Sequence, residues 1–218
     1  MNAAADRTPS LAAPTRDRLA HSVAVFNGYA NVDRTWHEFV DRTAPGVDLG
    51  RPDHRQLMRR WLNSWGCRIR YPRDGEPDPY DEGTAAWWAG FGAALPTGLL
   101  RLATDDDLAV LGTAYAALAA TPAGPTRTLG PTAAAKALYA LRPQTVMPWD
   151  AAIAVTLHGA RDGAAFTRHL NLGRGWAAAL VAEVGVDDAA LPALLGRPGI
   201  SLAKILDEYT YVFITRQS

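Results

Sequence analysis

At 218 residues, 48% of them hydrophobic, the chain can bury a sizeable core, either as one large domain or as two small lobes. A formal net charge of zero argues against a strongly electrostatic nucleic-acid binder, while leaving room for local patches. One cysteine, Cys67, excludes an internal disulfide framework, fits a reducing cytosol, and reads more simply as a small core residue than as a thiol nucleophile.

In chain order, residues 1–18 read as a flexible tail, and their opening stretch lacks the apolar run of a secretory signal. The pattern predicts a helix over Asp33–Arg42 with Trp36, Phe39 and Val40 inward. A second follows from Asp53, an N-cap after Pro52, with Leu57, Trp61, Leu62 and Trp65 on one face, Arg55, Arg59 and Arg60 elsewhere, and Gly66 as the stop. Cys67–Tyr71 alternates apolar and polar residues like a short strand, as does Tyr209–Thr215 near the C-terminus. Between them the periodicity predicts helices over Thr84–Leu95, Asp105–Ala120, Thr132–Leu141, Ala151–His158, Gly163–His169, Gly175–Val184 and Ser201–Tyr209. The Pro/Gly cluster Thr121–Gly130 reads as a joint. An all-α or mostly α fold is expected, two-lobed, with an N-terminal helical lobe over 19–124 and a C-terminal one over 125–218. The longest uncharged stretches, 83–100 and 108–126, are broken by Pro96, Pro122, Pro125 and several glycines, so no membrane span and a cytoplasmic location are expected.

Charge is unevenly spread. Seven arginines lie between Arg51 and Arg73 against the single acid Asp53, and the stretch from Asp74 to Asp107 is acidic apart from Arg101. Such a run builds either a positive groove for phosphates or a solvated face.

Several chemistries fail on spacing. Gly130 and Lys136 are spaced as in a phosphate loop, but Ala135 and Ala137 replace the second glycine and the magnesium-binding hydroxyl. His37-Glu38 is followed by Asp41 rather than a second histidine, and the other histidines share no ligand spacing, so no metal and no cofactor are expected. No serine-nucleophile elbow is present. What remains is Lys136 and Asp150, placed near the two ends of a compact helical unit. A lysine on the buried side of an alanine-rich helix loses hydration, which favours the neutral, nucleophilic amine. An aspartate opening a helix sits over its positive end and stays ionised, suited to stabilising an oxocarbenium-like sugar or orienting water. The plainer alternatives are that Asp150 is a helix cap and Lys136 snorkels from a surface helix.

Leu129-Gly130-Pro131-Thr132 looks like a hairpin turn, Ala133–Leu141 like its second helix, and Val146-Met-Pro-Trp-Asp150 like an apolar crossing that ends in an aspartate. In these features the segment 125–180 resembles the helix-hairpin-helix base-excision DNA glycosylases, and Lys136-Ala-Leu-Tyr-Ala-Leu-Arg-Pro with Met-Pro-Trp-Asp150 is similar to proteins related to oxidised-guanine glycosylases. The resemblance implies that Asp150 supports departure of a damaged base, and that Lys136 is the candidate for the lysine with which some members form a Schiff base and nick the strand. Three departures stand out. Lys136 lies about one helical turn later than the usual lysine, the usual Gly-Val-Gly is reduced to one glycine, and Ala152 replaces the His or Asn two residues after the aspartate.

The resemblance also implies a DNA partner whose backbone would be met by Gly130 and Thr132 of the hairpin and by Arg59 and Arg60 of the basic face. Trp65, Trp88 and Trp149 are the tryptophans best placed to contact an extruded base, and Arg174, between two glycines, is a candidate phosphate contact. Large core anchors are the commoner use of tryptophan. The expected activity is therefore cleavage of the N-glycosidic bond of a damaged or modified base. The alternatives are a non-catalytic DNA- or protein-binding domain of the same fold, and an enzyme acting on a small nucleoside-like molecule.

Overall fold

The computed structural model describes residues 11–28 and 32–216. Among these residues there are ten α-helices and no strand: α1 (Arg16–Asn27), α2 (Val32–Thr43), α3 (Pro52–Ser64), α4 (Pro79–Phe91), α5 (Asp105–Ala120), α6 (Pro131–Leu141), α7 (Ala151–His158), α8 (Gly163–Val184), α9 (Ala190–Leu194) and α10 (Leu202–Thr210). The fold is all-α. No helix among the described residues is long and apolar enough to cross a membrane.

Local signals start most of these helices. Thr15, Asp78, Asp150, Asp162 and Ser201 each accept a backbone N–H of the first turn, and Thr104 with Asp107 forms a reciprocal capping box before α5. The cap of α3 is Arg51, not Asp53: Pro52 takes the first helical position, and Asp53 sits in the first turn at 2.7 Å from Arg51.

Several elements differ from the sequence expectations. Arg16–Arg18, read as tail, form the first turn of α1, which buries Leu19, Val23 and Phe26 on one stripe. The two helices expected over 163–184 are one, and Gly173 continues the helix where it packs tightly on Met147; a Cβ there would lie 3.0 Å from the Met147 side chain. Cys67–Tyr71 is no strand, since Asn63 takes the hydrogen bonds a partner strand would make: Ile69 N–H donates to its Oδ1 at 2.6 Å and its Nδ2 donates to the Ile69 carbonyl at 2.8 Å. Tyr209 and Thr210 end α10, and Tyr211–Thr215 continues it as a wide π-type turn. Val40, expected inward, is 41% exposed.

The buried apolar residues form a cluster that runs from Leu19 to Tyr209. α5 lies against α8 and α6, α1 against α10, and α3 against α2, α4 and α6. The α5–α8 crossing is close because it is made at glycines: a Cβ on Gly163 would stand 2.6 Å from the Gly112 carbonyl oxygen. The expected joint between α5 and α6 is a tight loop, held by a bridge between Pro122 and Thr128 and by Gly130 N–H donating to Ala119 O at 3.0 Å. Gly130, at φ 80°, then turns the chain into α6.

Candidate functional site

Between α1, α3, α6, α7 and α10 lies a cavity of about 410 Å³. Its aromatic wall comes from Trp61 of α3, Trp65 just past its end, Tyr139 of α6, Trp149 and Phe26. Its charged groups are Lys136, Asp150, Lys204, Asp207 and Arg216. The volume falls within the roughly 300–1,000 Å³ of small-molecule sites.

Lys136 and Asp150, paired by position in the sequence, therefore face one space. The alanines of α6 on either side of Lys136 are buried, so the helix is embedded and its lysine emerges into the cavity. The Lys136 ammonium donates to the Trp65 carbonyl at 3.1 Å and stands 5.2 Å from the centre of the Trp65 ring. Asp150 is the N-cap of α7, accepting Ile153 N–H on Oδ1 at 2.9 Å. The capping role and the cavity position are thus one arrangement: the helix start holds the carboxylate by one oxygen, and among the described residues no donor is hydrogen-bonded to the other.

The crossing before Asp150 is fixed from behind. Trp149 is 2% exposed, edge-on to Tyr115 and Phe166 at centroid distances of 5.7 and 5.1 Å. The Pro148 carbonyl can only accept, so His169 Nε2–H donates to it at 3.4 Å, and His169 Nδ1 must accept from His158 Nε2–H at 3.1 Å. Burial holds both imidazoles neutral: it pushes His158 down to about 4, helped by the charge of Arg168, and His169 down to about 3, helped by His158. An unfolded chain takes up these protons near pH 6.5, so the stability the pair confers is full above that pH and is lost as pH falls through about 4 and 3. Stability against heat is expected to fall steadily below pH 6.5, by about 1.4 kcal/mol per pH unit for the fully buried His169. His169→Phe should flatten that part of the profile, and an unchanged slope would refute the assignment.

Two charged cavity residues of α10 escaped the sequence reading. Lys204 and Asp207 belong to a helix whose charged positions look solvent-facing, yet Lys204 is buried and Asp207 is 14% exposed at its side chain. Their i, i+3 spacing was the available signal. The Lys204 ammonium donates to Asp207 Oδ2 at 2.7 Å, lies 3.6 Å from Glu208, and stands 4.7 Å from the Phe26 ring centre. Burial pulls the lysine pKa down, but Asp207 and Glu208 outweigh it and hold the group above its ordinary value. Burial pushes the Asp207 carboxyl up, the nearby charge of Asp150 adds to this, and Lys204 and Lys136 oppose it. Glu208 itself is gripped by Arg197 through two bonds of 2.8 and 3.0 Å.

The other expected site residues fall elsewhere. Trp65 and Trp149 line the cavity, whereas Trp88 packs over Gly92, whose Cβ would lie 2.6 Å from its ring, and does not reach it. Arg174 is a clamp between helices, donating to the Ala103 carbonyl at 2.9 Å and to Asp105 at 2.7 Å. Gly130 and Thr132 border a neighbouring groove of about 310 Å³ that also touches Trp65 and Cys67. Arg59 is 0% exposed, bonded to Asp78 and stacked 4.4 Å from the Tyr80 ring centre, so it is no phosphate contact. Arg60 is exposed and borders a separate groove of about 190 Å³ beside Glu38 and Arg42. The arginine-rich stretch is largely internally neutralised, with Arg51 on Asp53, Arg55 on Asp81, Arg59 on Asp78 and Arg70 on Glu76. Among the described residues no group of three or more His, Cys, Asp or Glu is placed to hold a metal ion.

Comparisons with protein-family models, curated proteins and solved structures find no match to this chain. The class of site is defined by its own geometry: an aromatic-walled cavity in an all-α fold with two lysines and two carboxylates facing it.

Proposed function

We propose that this protein cleaves an N-glycosidic bond, seating a damaged or modified DNA base in the cavity and working on its sugar with Asp150. The observation that carries the reading is the convergence of Asp150 and Lys136 on one cavity walled by tryptophan and tyrosine rings. Aromatic walls suit a flat base taken out of its stack. The Asp150 carboxylate, fixed by Ile153 N–H and the start of α7, supplies negative charge where a cationic sugar develops, or holds the attacking water there. The C–N bond breaks with its electron pair leaving on the base, and the water oxygen bonds to the sugar carbon as its proton passes by way of the Asp150 carboxylate to the base nitrogen.

Lys136 takes the complementary role. Its ammonium is held by a carbonyl and a ring, both partners of the charged form, so it stabilises the departing base rather than attacking the sugar. Lys136→Ala is expected to slow base release by about 10²-fold, the scale of one lost charge-stabilising donor. Borohydride should trap no adduct between the wild type and its substrate. A wild-type adduct that Lys136→Ala abolishes would make it the nucleophile of a lyase instead.

A free nucleoside is the second reading, favoured by the ion pairs that consume Arg51, Arg55, Arg59 and Arg70 and leave less charge for a duplex backbone. The test is base release from duplexes carrying oxidised, deaminated and alkylated bases, run beside the matching free nucleosides. Release from duplex supports the leading reading, release from nucleosides alone supports the second, and release from neither removes both.

A further inference from the structure

The sugar-side chemistry leaves α10 unused, although its buried pair faces the same cavity. We propose that Lys204 and Asp207 read the polar edge of a neutral ring bearing N–H next to C=O, with Asp207 accepting from the ring N–H and Lys204 donating to the carbonyl. This rests on the reading of the cavity as a base site and adds the class of base.

The pair is built for such an edge. With Nζ at 2.7 Å from Asp207 Oδ2, an ammonium donor and a carboxylate acceptor lie side by side, the complement of an adjacent carbonyl and N–H. Among the described residues Asp207 Oδ1 accepts no hydrogen bond, and Asp207 lines the cavity. The geometry is set in advance: Glu208 at 3.6 Å and the rings of Phe26 and Trp65 at 4.7 and 5.5 Å confine the ammonium. Fold stability does not call for the pair, because buried ion pairs contribute little over apolar residues of like volume, and Glu208 already has Arg197.

One further feature agrees. The π-type turn Tyr211–Thr215, a geometry concentrated at functional sites, carries the chain from Asp207 to the cavity residues Tyr211 and Arg216.

The test is a ligand-observed NMR titration of the full chain with hypoxanthine and with 1-methylhypoxanthine, which keeps the ring and carbonyl but replaces the N–H by N–CH₃. Wild type should bind the methylated probe at least about tenfold more weakly, about 1.4 kcal/mol. Asp207→Ala and Lys204→Met should each weaken hypoxanthine by a similar factor and narrow the gap between probes. The wild-type comparison needs no variant, so a substitution that prevents folding leaves the test intact. Equal binding of the two probes, or binding of neither, overturns the proposal. Selective binding of hypoxanthine by a protein that releases no base from any duplex or nucleoside would uphold the recognition pair and remove the glycosidic chemistry. Release that depends on Asp150 with no preference between the probes would do the reverse.

Discussion

Asp150→Asn is expected to abolish measurable base release, by about 10²–10³-fold or more, while the protein keeps its fold. The two effects separate because asparagine caps a helix as well as aspartate does. Its carbonyl oxygen can still accept Ile153 N–H, the bond made now at 2.9 Å. Only the charge is lost, and with it the stabilisation of a cationic sugar. Stability should change by less than about 1 kcal/mol, the scale of a cap substitution. The measurement is single-turnover release from the best substrate of the panel, with thermal denaturation alongside. Release undiminished in a folded variant would leave Asp150 as a cap alone and place the carboxylate of the reaction elsewhere in the cavity.

Glu208→Ala should be the most destabilising single substitution near the site, by about 3–5 kcal/mol. The carboxylate is 0% exposed and receives two bonds from Arg197, with Lys204 at 3.6 Å. Its removal costs the buried Arg197 guanidinium two charge-assisted hydrogen bonds, a penalty far above the net worth of the pair. For a chain of this length the loss corresponds to a fall in Tm of about 10 °C. A fall under about 2 °C would show that the network is hydrated or rearranges freely. Because Lys204 shares this carboxylate, ligand affinity should fall together with stability, in contrast to Asp150→Asn, where only turnover falls.

These two residues also mark how far the sequence could be read. Asp150 was legible because a cap is local: Pro148, the aspartate and the apolar residues after it state the start of α7, and the same logic places α5 and α6 within a residue. Lys136 and Asp150 line the same cavity, since one short helix and one buried crossing leave few ways to separate them. The expected contact of an exposed Arg59 with phosphate failed because its fate depends on Asp78, nineteen residues away across a turn, which folds back to bury it. Lys204 and Glu208 look like a solvated face by their composition and are buried because α1, Trp65 and the Arg197 segment close over them.

The limits follow from the range of each interaction. Helix type, caps and the all-α class arise from neighbours within about four residues and are written in the chain. Whether a charged side chain meets water or a counter-charge depends on distant segments, because burying it costs several kcal/mol unless packing brings a partner. Thus the sequence by itself determined most of the helices and the cap at Asp150, while the tertiary structure buried Arg55 and Arg59 against Asp81 and Asp78, drew α10 into the cavity and set two carboxylates and two lysines around one aromatic space.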